Sequence, residues 1–225
     1  MRPFRDYHRG TGRRRPASGG PCPSSRDFDI HFRDFGKESV VNISDAQRQV
    51  RTVFLGGFPG QLVSSLMWFL SAVLATWHSP KAAIIALVAG GVFIFPLTQM
   101  LLRAMGRPAS LPKGHPMNAL GMQTAFTLPL NLPLVAAATL YRLDWFYPAF
   151  MIALGTHYLP FIFMYGMPQF GFLAAFLIAA GFTIGLYMHP IFSLGAWLTA
   201  AVLLLFAFIG RALALRESHG AQPAA

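Results

Sequence analysis

The chain has 225 residues, of which 54% are hydrophobic and only 12% charged, with a formal charge of +10; ordinary soluble domains run at roughly 45–50% and about 25%. Seventeen of the 26 charged side chains lie in residues 1–51, so the remainder cannot coat itself with a charged surface and must be solvated by lipid. This excludes a soluble enzyme or binding module. It also argues against nucleic acid as a partner, because the basic residues beyond the tail flank apolar runs, where they orient a membrane protein and attract anionic lipid headgroups.

Residues 1–44 read as a disordered basic tail, rich in Arg, Gly, Pro and Ser, with Arg13-Arg14-Arg15 repelling one another in any compact fold. Two other readings attach to it. The arginines could belong to a twin-arginine export signal, but no apolar core follows them closely. Alternatively, translation starts at Val40 or Val41, after a Lys37-Glu38 pair whose codons can resemble a ribosome-binding sequence. Cys22 is the single cysteine, which leaves no intrachain disulfide and no cysteine-based metal site.

Ser44-Asp45-Ala46-Gln47 fits a capping box. Residues 45–57 are therefore expected to form an interfacial helix over 45–55, closed by a glycine-rich elbow at Gly56-Gly57. Pro59 then falls in the first turn of the first span, where its missing N–H costs nothing. Apolar runs follow at 58–78, 82–102, 117–141, 145–167, 169–188 and 191–210. Each is about 20 residues long, enough to cross a hydrocarbon core roughly 30 Å thick. They are continuously apolar, without the alternation of a barrel strand. The expected architecture is an all-α polytopic membrane protein, with a six-helix domain over 58–210 and a short tail over 211–225.

Arg103, Arg107, Lys113, Arg211 and Arg216 fall on the same side as the N-terminal arginines, against Lys81 and Arg142 on the other. The positive-inside rule then puts both termini in the cytoplasm. Trp77, Tyr141, Trp145, Tyr147 and Tyr187 are expected to form an aromatic belt at the outer side.

The span interiors contain no Asp, Glu, Lys or Arg. This argues against a carboxylate-coupled pump, a voltage sensor and a paired acid–base enzyme, so no catalytic residue, cofactor or metal is assigned. What remains is His157 near the middle of span four and a polar stripe on span three. Gln123, Thr124, Thr127 and Asn131 fall within an arc of about 100° on a helical wheel. Asn131 and His157 lie at comparable depths, roughly 15 and 18 Å from the outer helix ends. Pro129, Pro133 and Pro160 mark the same level and free backbone carbonyls there. Interrupted helices with polar groups at the midplane point to a solute site; the competing reading is that the same groups are interhelical hydrogen-bonding glue.

Gln61, Gln99 and Gln169 form a second polar layer, read as interfacial amides near the cytoplasmic helix ends. Gly60, Gln61, Ser64, Ser71 and Ala75 share one face of span one. On span five, Gly171, Ala175 and Ala179, followed by Gly181 and Gly185, suit tight packing, either within the chain or in a homo-oligomer.

Other motifs fail. No Gly-x-Ser-Gly accompanies the histidines as a rhomboid-type protease would require, and His78, His115 and His189 lack metal-ligand spacing. The stretch Gly56-Gly57-Phe58-Pro59-Gly60-Gln61, with Thr127-Leu128-Pro129-Leu130-Asn131, resembles a family of uncharacterised bacterial multi-pass membrane proteins over roughly residues 45–210. The resemblance implies a bacterial inner-membrane location and carries no activity. The functional expectation is a small permease or channel for a neutral or weakly polar solute, with His157, Asn131, Thr127, Gln123 and Thr124 lining a site between spans three and four. The alternative is a non-transporting membrane component, either a sensor or a structural partner.

Overall fold

The computed structural model describes residues 42–188 and 191–220, the side chains of 218–220 excepted. The N-terminal tail, with Cys22, Arg13-Arg14-Arg15 and the alternative start, lies outside the described residues, as does His189.

The first helix, α1 (Ile43–Phe54), begins two residues earlier than a cap at Ser44 would put it. Asn42 is the cap, its side-chain oxygen accepting from the Ser44 N–H at 3.0 Å. The expected capping box does not form, because Gln47 Nε2 donates instead to the Phe163 carbonyl at 2.6 Å. Leu55, Gly56 and Gly57 then take left-handed φ values of 49°, 63° and 86° and turn the chain into the first span. Glycine adopts that conformation freely. Leu55 does so at a cost of about 1–2 kcal/mol, which its burial offsets.

Six helices follow: α2 (Phe58–Trp77), α3 (Pro80–Ala104), α4 (Met117–Tyr141), α5 (Phe146–Tyr165), α6 (Gln169–Tyr187) and α7 (Leu194–Gly220). Each is long and apolar enough to cross a membrane, and no strand occurs among the described residues. Pro59 and Pro80 sit in first turns, and Ser79 caps α3 by accepting from the Ala82 N–H at 3.2 Å. The last helix starts at Leu194 and runs on through residues 211–220, at the start of the expected tail. One expectation needs correction. The helices at Pro129, Pro133 and Pro160 run on uninterrupted.

The helices divide into two groups. In one, α2 packs against α3 and α7; in the other, α5 packs against α4 and α6. The groups meet where α7 touches α5 and α6, and where Trp68 on α2 lies with its ring 5.9 Å from Tyr147 and 5.2 Å from Phe150 of α5. Small residues set the closest approaches. A methyl added at Gly155 would lie 2.9 Å from the Ala174 carbonyl oxygen of α6, and one at Gly181 2.8 Å from the Pro148 oxygen of α5. Gly185 faces the Pro148 ring, so the small-residue face of span five is taken up by α5 within the chain. Ala175 and Ala179 lie outside that contact and are exposed.

Tyr147 also departs from its expected role. It is fully buried, whereas Trp77, Tyr141 and Tyr187 are exposed at the helix ends remote from α1. The outermost helices are thinly covered: along α3 only Ala83, Leu87 and Leu102 are buried, and along α4 only Met117, Thr124 and Val135.

Candidate functional site

The polar stripe of α4 meets α5 at one contact. Thr127 Oγ1 lies 2.8 Å from His157 Nδ1, joining residues thirty apart in sequence. Around it, each polar group of the stripe turns to its own backbone. Thr124 Oγ1 donates to the Leu120 carbonyl at 2.7 Å, Thr127 Oγ1 to the Thr124 carbonyl at 2.8 Å, and Asn131 Nδ2 to the Thr127 carbonyl at 2.7 Å. Thr124 is buried at 2% exposure, while Thr127, Asn131 and His157 are half-buried. The imidazole is flanked by the rings of Phe161 and Tyr158, at 5.2 and 5.7 Å. Four of the five candidates therefore form a connected patch. The fifth, Gln123, is exposed on the neighbouring edge of α4 and has no place in it.

An open apolar groove of about 330 Å³ lies elsewhere, between α6 and α7, walled by Phe176, Ala180, Ile184, Met188, Leu194 and Leu198. Neither His157 nor Asn131 is on its walls. Its one polar wall residue, Thr183, gives its hydroxyl to the Ala179 carbonyl at 2.8 Å.

Three other polar features were not read from sequence. First, Ser71 Oγ donates to the Ala83 carbonyl at 2.9 Å and lies 2.7 Å from the Tyr147 hydroxyl, so a buried node ties α2, α3 and α5 together. A serine on a small-residue face carries no signal for this, since its partner is 76 residues away. Second, Gln61 and Gln169 are covered by neighbouring helices. They are 3% and 6% exposed, and neither amide has a protein partner. Third, α1 is fastened to the bundle: Arg51 Nη1 donates to the Tyr165 carbonyl at 2.6 Å, and its Nε pairs with Glu217 of α7 at 2.7 Å. Arg107, from the loop after α3, donates to the Thr52 carbonyl at 2.7 Å.

These contacts put Arg48, Arg51, Arg103, Arg107, Lys113, Arg211 and Arg216 at the α1 end of the bundle, and Lys81 and Arg142 at the opposite end. His115 is buried and caps α4, its Nδ1 accepting from the Met117 N–H at 3.2 Å, while His78 is exposed. No group of three or more His, Cys, Asp or Glu suited to a metal occurs among the described residues.

Among the described residues, six membrane-length helices around an uncharged interior define a multi-pass helical membrane protein. The chain belongs to the family described as "Family of unknown function (DUF7010)", whose model matches residues 43–212 and so takes in α1, the elbow and all six spans. No curated protein and no solved structure matches it.

Proposed function

We propose that this protein is a small permease or channel for a neutral or weakly polar solute, held between α4 and α5 near the midplane. The observation that supports this is the Thr127–His157 hydrogen bond. It brings the one mid-span imidazole into a patch of neutral polar groups at the depth where membrane transporters bind solute. The interior offers no carboxylate for ion coupling, so facilitated movement down a gradient fits better than a pump. The same absence of acid–base pairs is the basis for reading the protein as a non-enzyme without a cofactor.

The test is uptake into proteoliposomes of a panel of small neutral solutes by wild type, His157→Ala, Asn131→Ala and, as a control on the exposed face of α3, Gly91→Ala. The expected result is a flux lost in the two site variants and kept in the control. Equal fluxes in all four remove the patch from the mechanism.

A second reading, a non-transporting component that partners another membrane protein, is favoured by α3. This helix packs on α2 and leaves Val92, Phe93 and Phe95 exposed at 74%, 58% and 71%. A partner that co-purifies from native membranes with wild type and is lost in a Val92→Trp, Phe95→Ala double variant would favour it.

We also propose a bacterial inner-membrane location with both termini in the cytoplasm, because the cations gather at the α1 end, where they would meet anionic headgroups. Reporter fusions at the C-terminus check this, and an outward-facing reporter overturns it.

A further inference from the structure

We infer that the α4–α5 patch is an acceptor site, selective for solutes that present an N–H or O–H donor. This rests on the solute-site reading above and names the class of solute.

A threonine hydroxyl has one hydrogen. That of Thr127 goes to the Thr124 carbonyl, at 2.8 Å, and a carbonyl can only accept. The 2.8 Å contact between Thr127 Oγ1 and His157 Nδ1 must then be donated by the ring, so Nδ1 carries the proton. In a neutral imidazole with Nδ1 protonated, Nε2 is a bare lone pair. Among the described residues His157 Nε2 has no hydrogen-bond partner, and it is not one of the fully buried polar atoms.

The same logic orients Asn131. Its contact is with the Thr127 carbonyl, so the group turned there is the NH₂, and Oδ1 is left as a free acceptor one helical turn away. Thr124 adds nothing outward, because its hydroxyl is given to the Leu120 carbonyl and the residue is buried. Apart from the second N–H of Asn131, the patch spends its donors within the protein and keeps Nε2 and Oδ1 as acceptors. A solute with N–H or O–H groups finds partners at both. At Nε2 and Oδ1 an anion or a solute with only carbonyl or ether oxygens meets lone pairs facing lone pairs, and in a low-dielectric site an unmade hydrogen bond is not replaced by water.

The test uses the full chain in lipid nanodiscs, labelled with ¹⁵N-histidine, with the His157 resonances assigned by difference from His157→Gln. The expected spectrum has a protonated Nδ1 and an unprotonated Nε2, and the reverse pattern overturns the inference. Thr127→Ser should keep that tautomer and Thr127→Val should lose the preference for it. A tautomer unchanged in Thr127→Val overturns the role given to the hydroxyl.

Acetamide and acetone, near in size but differing in the N–H donor, are then titrated. Acetamide should shift the Nε2 resonance in a saturable way and acetone should not. Equal shifts, or none from either, overturn donor selectivity. A selective acetamide shift in a protein that gives no flux in proteoliposomes would retain the acceptor site and discard the permease, so the two failures are distinguishable.

Discussion

The glycine elbow allows a prediction whose parts can be separated by variants of this one chain. Gly56 and Gly210 cross with their backbones in contact. A methyl on Gly210 would lie 2.5 Å from the Gly56 oxygen and 2.8 Å from Gln169 Nε2, and a methyl on Gly56 would run into the Gly210 carbonyl oxygen. Backbone atoms of two anchored helices cannot move aside as a side-chain tip can, so the overpacking cost of about 1–3 kcal/mol applies at both positions. Gly56 also has φ of +63°, which adds about 1–2 kcal/mol for any other L-residue.

Gly106 isolates the second contribution, because its φ is +68° but nothing lies within 4 Å of an added methyl. Gly91, helical and with nothing within 4 Å, isolates neither, and alanine there should be neutral or gain up to about 1 kcal/mol. The expected order of loss is therefore Gly56→Ala, at roughly 2–5 kcal/mol, above both Gly210→Ala and Gly106→Ala, with Gly91→Ala at or above wild type. At about 2–4 °C per kcal/mol for a chain of this size, thermal unfolding in detergent, followed by the loss of the monodisperse peak on size exclusion, resolves these steps. If Gly56→Ala lost no more than Gly106→Ala while Gly210→Ala matched wild type, the close crossing would be refuted.

The remaining predictions concern the polar contacts. Ser71→Ala removes the 2.7 Å partner of the buried Tyr147 hydroxyl, leaving it only the longer bond to the Ser71 carbonyl at 3.4 Å, and should cost about 1–3 kcal/mol, whereas Tyr147→Phe leaves Ser71 still donating to Ala83 and should cost less. A double-mutant cycle on unfolding temperature that gave purely additive losses would exclude the coupling. Gln61→Leu and Gln169→Leu each exchange a buried amide without a protein partner for an apolar side chain of similar length, so each variant should unfold at a higher temperature than wild type; a lower temperature in both sinks that reasoning. Arg51→Ala removes the donor to Tyr165 and the pair with Glu217, and should raise amide exchange over residues 43–54 at least several-fold. Glu217→Gln should change it little, because the carboxylate is half exposed and its pair with Arg51 is therefore weak.

Hydropathy summed over some twenty residues is a local property, and for that reason the sequence alone determines the number of spans and the bounds of the first five to within a few residues. It likewise determines the uneven distribution of cations between the two ends, and the comparable depth of Asn131 and His157, which needs only helix rise and antiparallel order. What it does not determine is which face of each helix points inward. In lipid, both faces of a span are apolar, so the periodicity that marks a buried stripe in a soluble helix is nearly absent. Gly181 and Gly185 were legible as a close contact but not as one with α5, and Tyr147, placed by sequence in the outer belt, is buried by Ser71, Trp68 and Phe192. Gln61 and Gln169 read as interfacial because they stand near helix ends, yet neighbouring helices cover them. The Asn42 cap won over Ser44 because Gln47 found the Phe163 carbonyl, 116 residues away. Only tertiary structure decided these points, since each depends on a partner atom from a distant part of the chain, and the acceptor character of the α4–α5 patch depends on where three hydrogens were already given.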